Sequence, residues 1–189
     1  MSMDVDAPGK IIVVSGMQGA GKSTVAAALA RRFERGAHIS ADVLQKMILS
    51  GGVWPSAESI DEHGVVHGEA AHQLRLRLRN AVVLAGSFAD AGITAIIDDI
   101  VIGARVEQLV EDVGGRPFYF VMLTPRFDVV RKREIGRGTE LYLRDGWMDA
   151  EIRERTKRIG LWLDTSDQTA EETADEIVRR LGEARVARS

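Results

Sequence analysis

The chemistry in this sequence is concentrated first in one octapeptide. Gly16-Met17-Gln18-Gly19-Ala20-Gly21-Lys22-Ser23 satisfies the pattern G-x-x-x-x-G-K-[ST] at every fixed position. At ordinary residue usage such a match arises by chance in roughly one chain in a hundred of this length. Glycines let backbone N–H groups turn inward around phosphate oxygens, in conformations that a side chain would obstruct. A helix starting near Lys22 would aim the positive end of its dipole at the same oxygens. Lys22 can reach the β- and γ-phosphates of a nucleoside triphosphate, and the Ser23 hydroxyl can ligate Mg²⁺. The expected nucleotide contacts are therefore Gly16, Met17, Gln18, Gly19, Ala20, Gly21, Lys22, Ser23 and Thr24. ATP and Mg²⁺ are the expected cofactors.

Such a loop serves kinases, switches and motors alike, so the rest of the chain must choose the reaction. A guanine-nucleotide switch would carry an N-K-x-D-type base-reading motif, but Asn80 is the only asparagine and T-K-x-D is absent. Water-activating ATPases commonly place Glu after the strand-end aspartate. Here Asp98-Asp99 is followed by Ile100-Val101-Ile102. Both absences favour transfer to a bound acceptor over hydrolysis. Asp42, just beyond a short strand, is placed to orient and deprotonate an acceptor hydroxyl; capping of the next helix is its alternative role. Asp98 or Asp99 would support Mg²⁺ from the end of a strand, and the sequence does not choose between them. Six basic residues lie between 126 and 144. Among them Arg133 and Arg137 are four apart, so a continuing helix would present both on one face. A basic flap over about 126–147 fits phosphoryl transfer, in which charge spreads over equatorial oxygens and water must be excluded. Lys22, Asp42, Arg133 and Arg137 are the expected catalytic set.

These residues need a scaffold. Ile11–Val14 is a β-branched run, as for a strand buried on both faces. Val25, Leu29 and Phe33 then recur at helical spacing, with Gly36 as a stop. Further strands are expected at Ala37–Ser40, Ile93–Ile97, Phe118–Leu123 and Leu161–Leu163. Helices are expected after Asp42, around Val106–Val110, and over Arg126–Ile135, Asp149–Ile159 and Ala170–Leu181. Leu74 to Arg79 alternates like a strand, but Val66, Ala70, Leu74, Leu78, Val82, Ala85 and Ala89 hold a three-to-four spacing. That longer periodicity predicts one helix within 62–91. Strands alternating with helices imply a parallel sheet covered on both sides, in a single domain over 1–189. The tail after Gly182 is expected to fray.

Several segments together resemble the chloramphenicol phosphotransferase-like branch of small P-loop kinases. They are IIVVSGMQGAGKS (11–23), SADVLQKM (40–47), TAIIDDIVIGA (94–104), VVRKREIGRG (129–138) and LWLDTS (161–166). The resemblance implies a three-layer α/β/α P-loop fold whose five-stranded parallel sheet has the order 2-3-1-4-5, with an arginine-bearing lid. It also implies that Asp42 matches the family's proposed general base. The activity so implied is transfer of the γ-phosphate of ATP to a hydroxyl of a small molecule, antibiotic-like or a metabolite. Two other readings stay open: a nucleotide-dependent regulatory or partner-binding ATPase, and a polynucleotide end kinase.

Composition narrows the setting. Across 189 residues, 45% are hydrophobic and 28% charged, ordinary values for a globular domain. The absence of cysteine rules out disulfides and thiolate nucleophiles. A net charge of −3 argues against nucleic acid as the main partner. Apolar runs are too short to span a bilayer, and Met1–Pro8 lacks the pattern of a signal peptide. A cytoplasmic enzyme is expected, of open oligomeric state. His63, His67 and His72 lie close in sequence but lack an H-E-x-x-H pattern, so surface or acceptor-pocket roles are expected of them. Arg75 and Arg79 read as a solvated stripe or a flank of the acceptor crevice. Trp54, in a glycine-rich loop after Asp42, is the best placed of the tryptophans for an acceptor contact.

Overall fold

The computed structural model describes residues 9–56, 58–61, 65–135 and 147–186, with the backbone alone for 133–135. The centre of the molecule is β1 (Ile11–Gly16), every residue of which is buried. It pairs in parallel with β3 (Thr94–Asp98) on one side and β4 (Phe118–Leu123) on the other. β2 (Gly36–Ser40) flanks β3, and β5 (Leu161–Leu163) flanks β4. The parallel order is thus 2-3-1-4-5, as the resemblance implied. Ile12, Val13, Ile96, Ile97, Phe120 and Val121 are fully enclosed between helices, which explains their unbroken apolar character.

Two layers cover the sheet. α1 (Lys22–Ala30) and α7 (Ala170–Arg179) pack against each other. α3 (Gly68–Asp90) packs on β3 and against α2 (Ala41–Lys46) and α4 (Arg105–Val113). α5 (Phe127–Ile135) follows β4. No helix among the described residues is long and apolar enough to cross a membrane.

Four expectations require correction. α3 begins only at Gly68, because Gly68 has φ +64 and Ile60 forms an antiparallel bridge with Val66; a left-handed residue behind a bridge cannot extend a helix backwards. The expected helix over Asp149–Ile159 is instead a short α6 (Trp147–Ala150) running into a π-helical turn, Glu151–Arg155. Thr156 then turns extended, and its hydroxyl accepts from the Gly103 N–H and donates to the Glu151 carbonyl. α1 stops at Ala30, short of Phe33. The segment after Gly182 is not frayed through Val186: α8 (Leu181–Ala184) leads into β6 (Arg185–Val186), which adds antiparallel to Phe118–Tyr119 of β4.

The register fixes the functional edge. Asp98 pairs with both Val14 and Ser40, so β2 and β3 end level and β1 runs two residues further, to Gly16. The loop after β1, the start of α2 and the Asp98-Asp99 step therefore converge at the carboxyl end of the sheet, where α/β proteins build ligand crevices.

Candidate active site

The phosphate loop is built as its residues require. Gly21 has φ +91 and serves as the N-cap of α1, a backbone position that favours glycine. No side chain caps α1, and its first turn holds no acid. The contrast with α7 is informative, since Thr169 and Glu172 close a reciprocal capping box there. The first N–H groups of α1 are thus left facing the loop, as an anion site needs. Buried Met17 and Ala20 pin the loop to the core, and Ala20 N–H donates to the Met17 carbonyl at 3.2 Å. The Lys22 ammonium curls back to the same carbonyl, 2.9 Å away.

Desolvation pushes the Lys22 ammonium below lysine's ordinary 10.5, against the pull of Asp98, Asp99 and Asp42. A bound triphosphate would raise it again. By linkage, nucleotide affinity is therefore level at low pH and falls at alkaline pH, from the free enzyme's lowered value up to the loaded enzyme's higher one. The expected slope is up to about tenfold per pH unit. Titration calorimetry across roughly pH 7–10, where a lowered lysine titrates, checks this; Lys22→Met should flatten the dependence.

Asp98 and Asp99, indistinguishable in sequence, part company in space. Ser23 Oγ donates to Asp98 Oδ1 at 3.3 Å. Asp98 Oδ2 is buried with no hydrogen-bond partner among the described residues, and His38 Nε2 stands 3.4 Å from it. A hydroxyl and an orphaned carboxylate oxygen beside a phosphate loop form a hard-oxygen donor set that suits Mg²⁺. Asp99 borders the same cavity, but its oxygens are bonded to other partners. Its Oδ1 accepts from Arg77 Nη2 at 2.5 Å and from the Ile100 N–H at 2.7 Å, and its Oδ2 accepts from Arg105 Nη2 at 2.8 Å. Burial alone would raise Asp99, but the Arg105 and Arg77 charges and hydrogen bonds outweigh it and hold the carboxyl below its usual range. With both oxygens accepting from guanidinium groups, Asp99 anchors two arginines in this structure, and Asp98 is the better placed of the two for Mg²⁺. Asp98→Asn is accordingly expected to weaken Mg²⁺–ATP binding far more than binding of Mg²⁺-free ATP, measured by calorimetry with and without EDTA.

Asp42 lies in the first turn of α2, mostly exposed, with Oδ1 3.2 Å from Arg77 Nη1. Asp42, Asp98, Lys22 and Ser23 border one cavity of about 570 Å³, within the usual range for small-molecule sites. Its lining also includes the apolar Trp54, Ile60, Val66, Leu74, Ile102 and Met148, interspersed with Arg75, Arg77, Arg105, Gln108 and Glu151. Trp54 is held there by a clasp of two buried amides. Gln73 accepts from the Val53 N–H and donates to the Gly51 carbonyl, while Gln45 donates both to Gln73 and to the Val53 carbonyl. The loop carrying Trp54 is thereby tied to α2 and α3. Trp147 also lines the cavity.

The other expected residues fall differently. Arg133 lies in α5, but its side chain is outside the described residues; so is all of Arg137, and with them most of the expected arginine lid. Arg126 reaches away to Asp167 in a two-pronged pair at 3.0 and 3.1 Å. His67 bonds Asp61 at 2.7 Å, and His63 lies outside the described residues. Arg79 is exposed, in keeping with a solvated position, whereas Arg75 borders the cavity. Sequence reasoning missed Arg77 and Arg105. A signal existed for Arg77: with Gln73 and Ala81 it repeats every four residues on the buried face of α3.

Comparison with known proteins now bears on this geometry. Residues 9–182 match the family described as chloramphenicol phosphotransferase-like protein. The chain belongs to that family. It is a family of kinase-like P-loop phosphotransferases, so the loop at Gly16–Ser23 is a nucleotide-binding P-loop. Among solved structures, the chain resembles the APS kinase CysC of Mycobacterium tuberculosis in complex with AMPPNP and APS, with 20% identity, TM-score 0.66, and 93% of this chain and 98% of that one covered. An unliganded sugar kinase from Janibacter sp. HTCC2649 is 21% identical, with TM-score 0.62 and coverage of 94% and 96%. The tunicamycin resistance protein of Deinococcus radiodurans is 19% identical, with TM-score 0.65 and coverage of 96% and 99%. At these identities the structures share the fold of the chloramphenicol phosphotransferase-like chain. No curated protein is close enough in sequence to count as a relative.

Proposed function

We propose that this chloramphenicol phosphotransferase-like protein transfers the γ-phosphoryl group of ATP to a hydroxyl of a small molecule. One observation carries the reading: a single cavity of about 570 Å³ is bordered by the phosphate loop, by Asp42 and by large side chains such as Trp54, Leu74 and Met148. The loop amides and Lys22 hold the phosphates. Ser23 and Asp98 would hold Mg²⁺, whose chemistry there is neutralisation of charge on the β- and γ-phosphate oxygens. Asp42 orients the acceptor and takes its proton. The acceptor oxygen bonds to the γ-phosphorus as the bond to the β–γ bridging oxygen breaks, and ADP departs. Arg133 and Arg137 are assigned to transition-state charge. The mixed lining, apolar at Trp54, Leu74 and Met148 and polar at Arg75, Gln108 and Glu151, supports an acceptor that carries both apolar and polar groups.

The test is an ADP-release screen with Mg²⁺–ATP against antibiotics, nucleosides, sugars and hydroxylated metabolites, followed by mass detection of the product. The expected result is one chemical class that both stimulates ADP release and gains a phosphate. Stimulation by a protein partner with no phosphorylated small molecule would replace this reading with a regulatory ATPase.

A further inference from the structure

We propose that Arg77 is the positioning residue of the acceptor site, locking the Asp42 carboxylate to the end of β3. The proposal rests on the reading of Asp42 as the acceptor-orienting group. The observation behind it is an asymmetry of burial. The Asp42 side chain is 63% exposed, the Arg77 side chain 6%, and the Asp99 side chain 1%. One guanidinium spans the gradient, with Nη1 at 3.2 Å from Asp42 and Nη2 at 2.5 Å from Asp99.

An exposed aspartate in the first turn of a six-residue helix has little of its own to fix its rotamer. An ordinary surface ion pair would not fix it either, since both partners are mobile and solvated. Here the cation is buried and held at both ends of its fork. Asp99, its far anchor, is braced by Arg105 Nη2 at 2.8 Å and by the Ile100 N–H at 2.7 Å. Arg105 is in turn held by the carbonyls of Ile100 and Leu74. The chain of contacts therefore runs from a rigid interior outward to the reacting edge. A planar guanidinium can bridge two carboxylates in fixed geometry, which the single ammonium of lysine cannot.

Arg77 does a second thing from the same place. Its guanidinium carbon lies 5.8 Å from the centre of the Trp54 ring, within reach of a cation–π contact. Trp54 sits on the loop that Gln45 and Gln73 clasp. The same group thus sets the spacing between Asp42 and one wall of the chamber in which an acceptor would lie. The competing account is that Arg77 merely ties α2 to α3. The two accounts differ in whether the loss of Arg77 is felt through Asp42.

A double-mutant cycle separates them, using ADP release from Mg²⁺–ATP with water as the acceptor. Misplacing a reacting group by a small distance can cost about 10²-fold, so Arg77→Met should lower kcat by about that factor. KM for ATP should stay within about twofold, since the hydrogen bonds of Arg77 go to Asp42 and Asp99. Arg77→Lys, which keeps the charge but loses the fork, should restore only part of the loss. In an Asp42→Asn background, Arg77→Met should cost less than about threefold, because the group it positions is already disabled. Losses that multiply in the double variant would overturn the proposal. If Asp42→Asn alone left turnover unchanged, the reading of Asp42 would fall and take Arg77's role with it. A cycle that multiplies beside a strongly impaired Asp42→Asn would sink Arg77 only. Urea unfolding of the same four chains needs no turnover. Shifts of the midpoint for Asp42→Asn and Arg77→Met should be non-additive, and additive shifts would equally overturn the proposal.

Discussion

Asp42→Asn is expected to lower phosphorylation of the acceptor by about 10²–10⁴-fold, the usual worth of a general base, while Mg²⁺–ATP binding stays close to normal. Asparagine keeps the shape of the side chain and can still sit beside Arg77, so the first turn of α2 has no reason to unfold. What it cannot do is take a proton from the acceptor hydroxyl. Nucleotide binding should survive because the loop amides, Lys22 and the Ser23–Asp98 pair form a separate group, with Ser23 bonded to Asp98 and Lys22 to Met17. The measurement is steady-state ADP release with the acceptor found by the screen, set beside calorimetric ATP binding. Near-normal turnover by the variant would remove Asp42 from the mechanism. A matched loss of ATP affinity would place it in the nucleotide site instead.

Asp99→Ala should act on stability rather than on metal binding, and its effect should be large. Removing one partner of a buried charge cluster leaves the others uncompensated, which typically costs about 3–5 kcal/mol. In a chain of this size each kcal/mol lowers Tm by about 2–4 °C, so a drop of about 6–20 °C is expected. Among the described residues, Arg77 would retain exposed Asp42 as its ion-pair partner, and Arg105 the backbone carbonyls of Ile100 and Leu74. The pH dependence has a definite sign. The Asp99 carboxyl is held below the ordinary value of 3.8 by Arg105 and Arg77. It therefore contributes stability that is full above that pH and is lost as acid titrates the folded protein below it. Asp99→Ala should flatten this acid limb of the melting curve. Thermal melts with and without Mg²⁺ decide the matter. If Asp99→Ala melted normally yet lost Mg²⁺-dependent ATP binding, Asp99 would be a metal ligand and the arginine-anchor assignment would be wrong.

How much of this was legible beforehand varies with the range of the interaction involved. Local signals were read well. The β-branched run at Ile11–Val14, the glycines of the phosphate loop and the alternating strands and helices each act over a few residues, and the parallel order followed from resemblance to the family. Local patterns misled where a distant contact or one backbone dihedral outweighed periodicity. Apolar spacing runs through Val66, yet Gly68 at φ +64 and the Ile60–Val66 bridge stop α3 there. Helical composition continues past Ala150, yet Thr156 is claimed by Gly103, more than fifty residues away in sequence, and the helix ends in a π turn. The polar tail gains order because three-residue β5 pairs only with Val121–Leu123 of β4, and Arg185–Val186 pairs with Phe118–Tyr119.

By itself the sequence determined that a phosphate is bound, where, and on what kind of sheet, because loop conformation and strand burial are set by neighbouring residues. Tertiary structure alone separated Asp98 from Asp99. Adjacent residues at the end of a strand point to opposite sides, so one meets Ser23 and the other meets Arg77 and Arg105, partners that no local pattern can supply. The same holds for Arg77. Three arginines alternate in one run, and only the packing of α3 against α2 and β3 decides which of them is turned inward to meet two carboxylates.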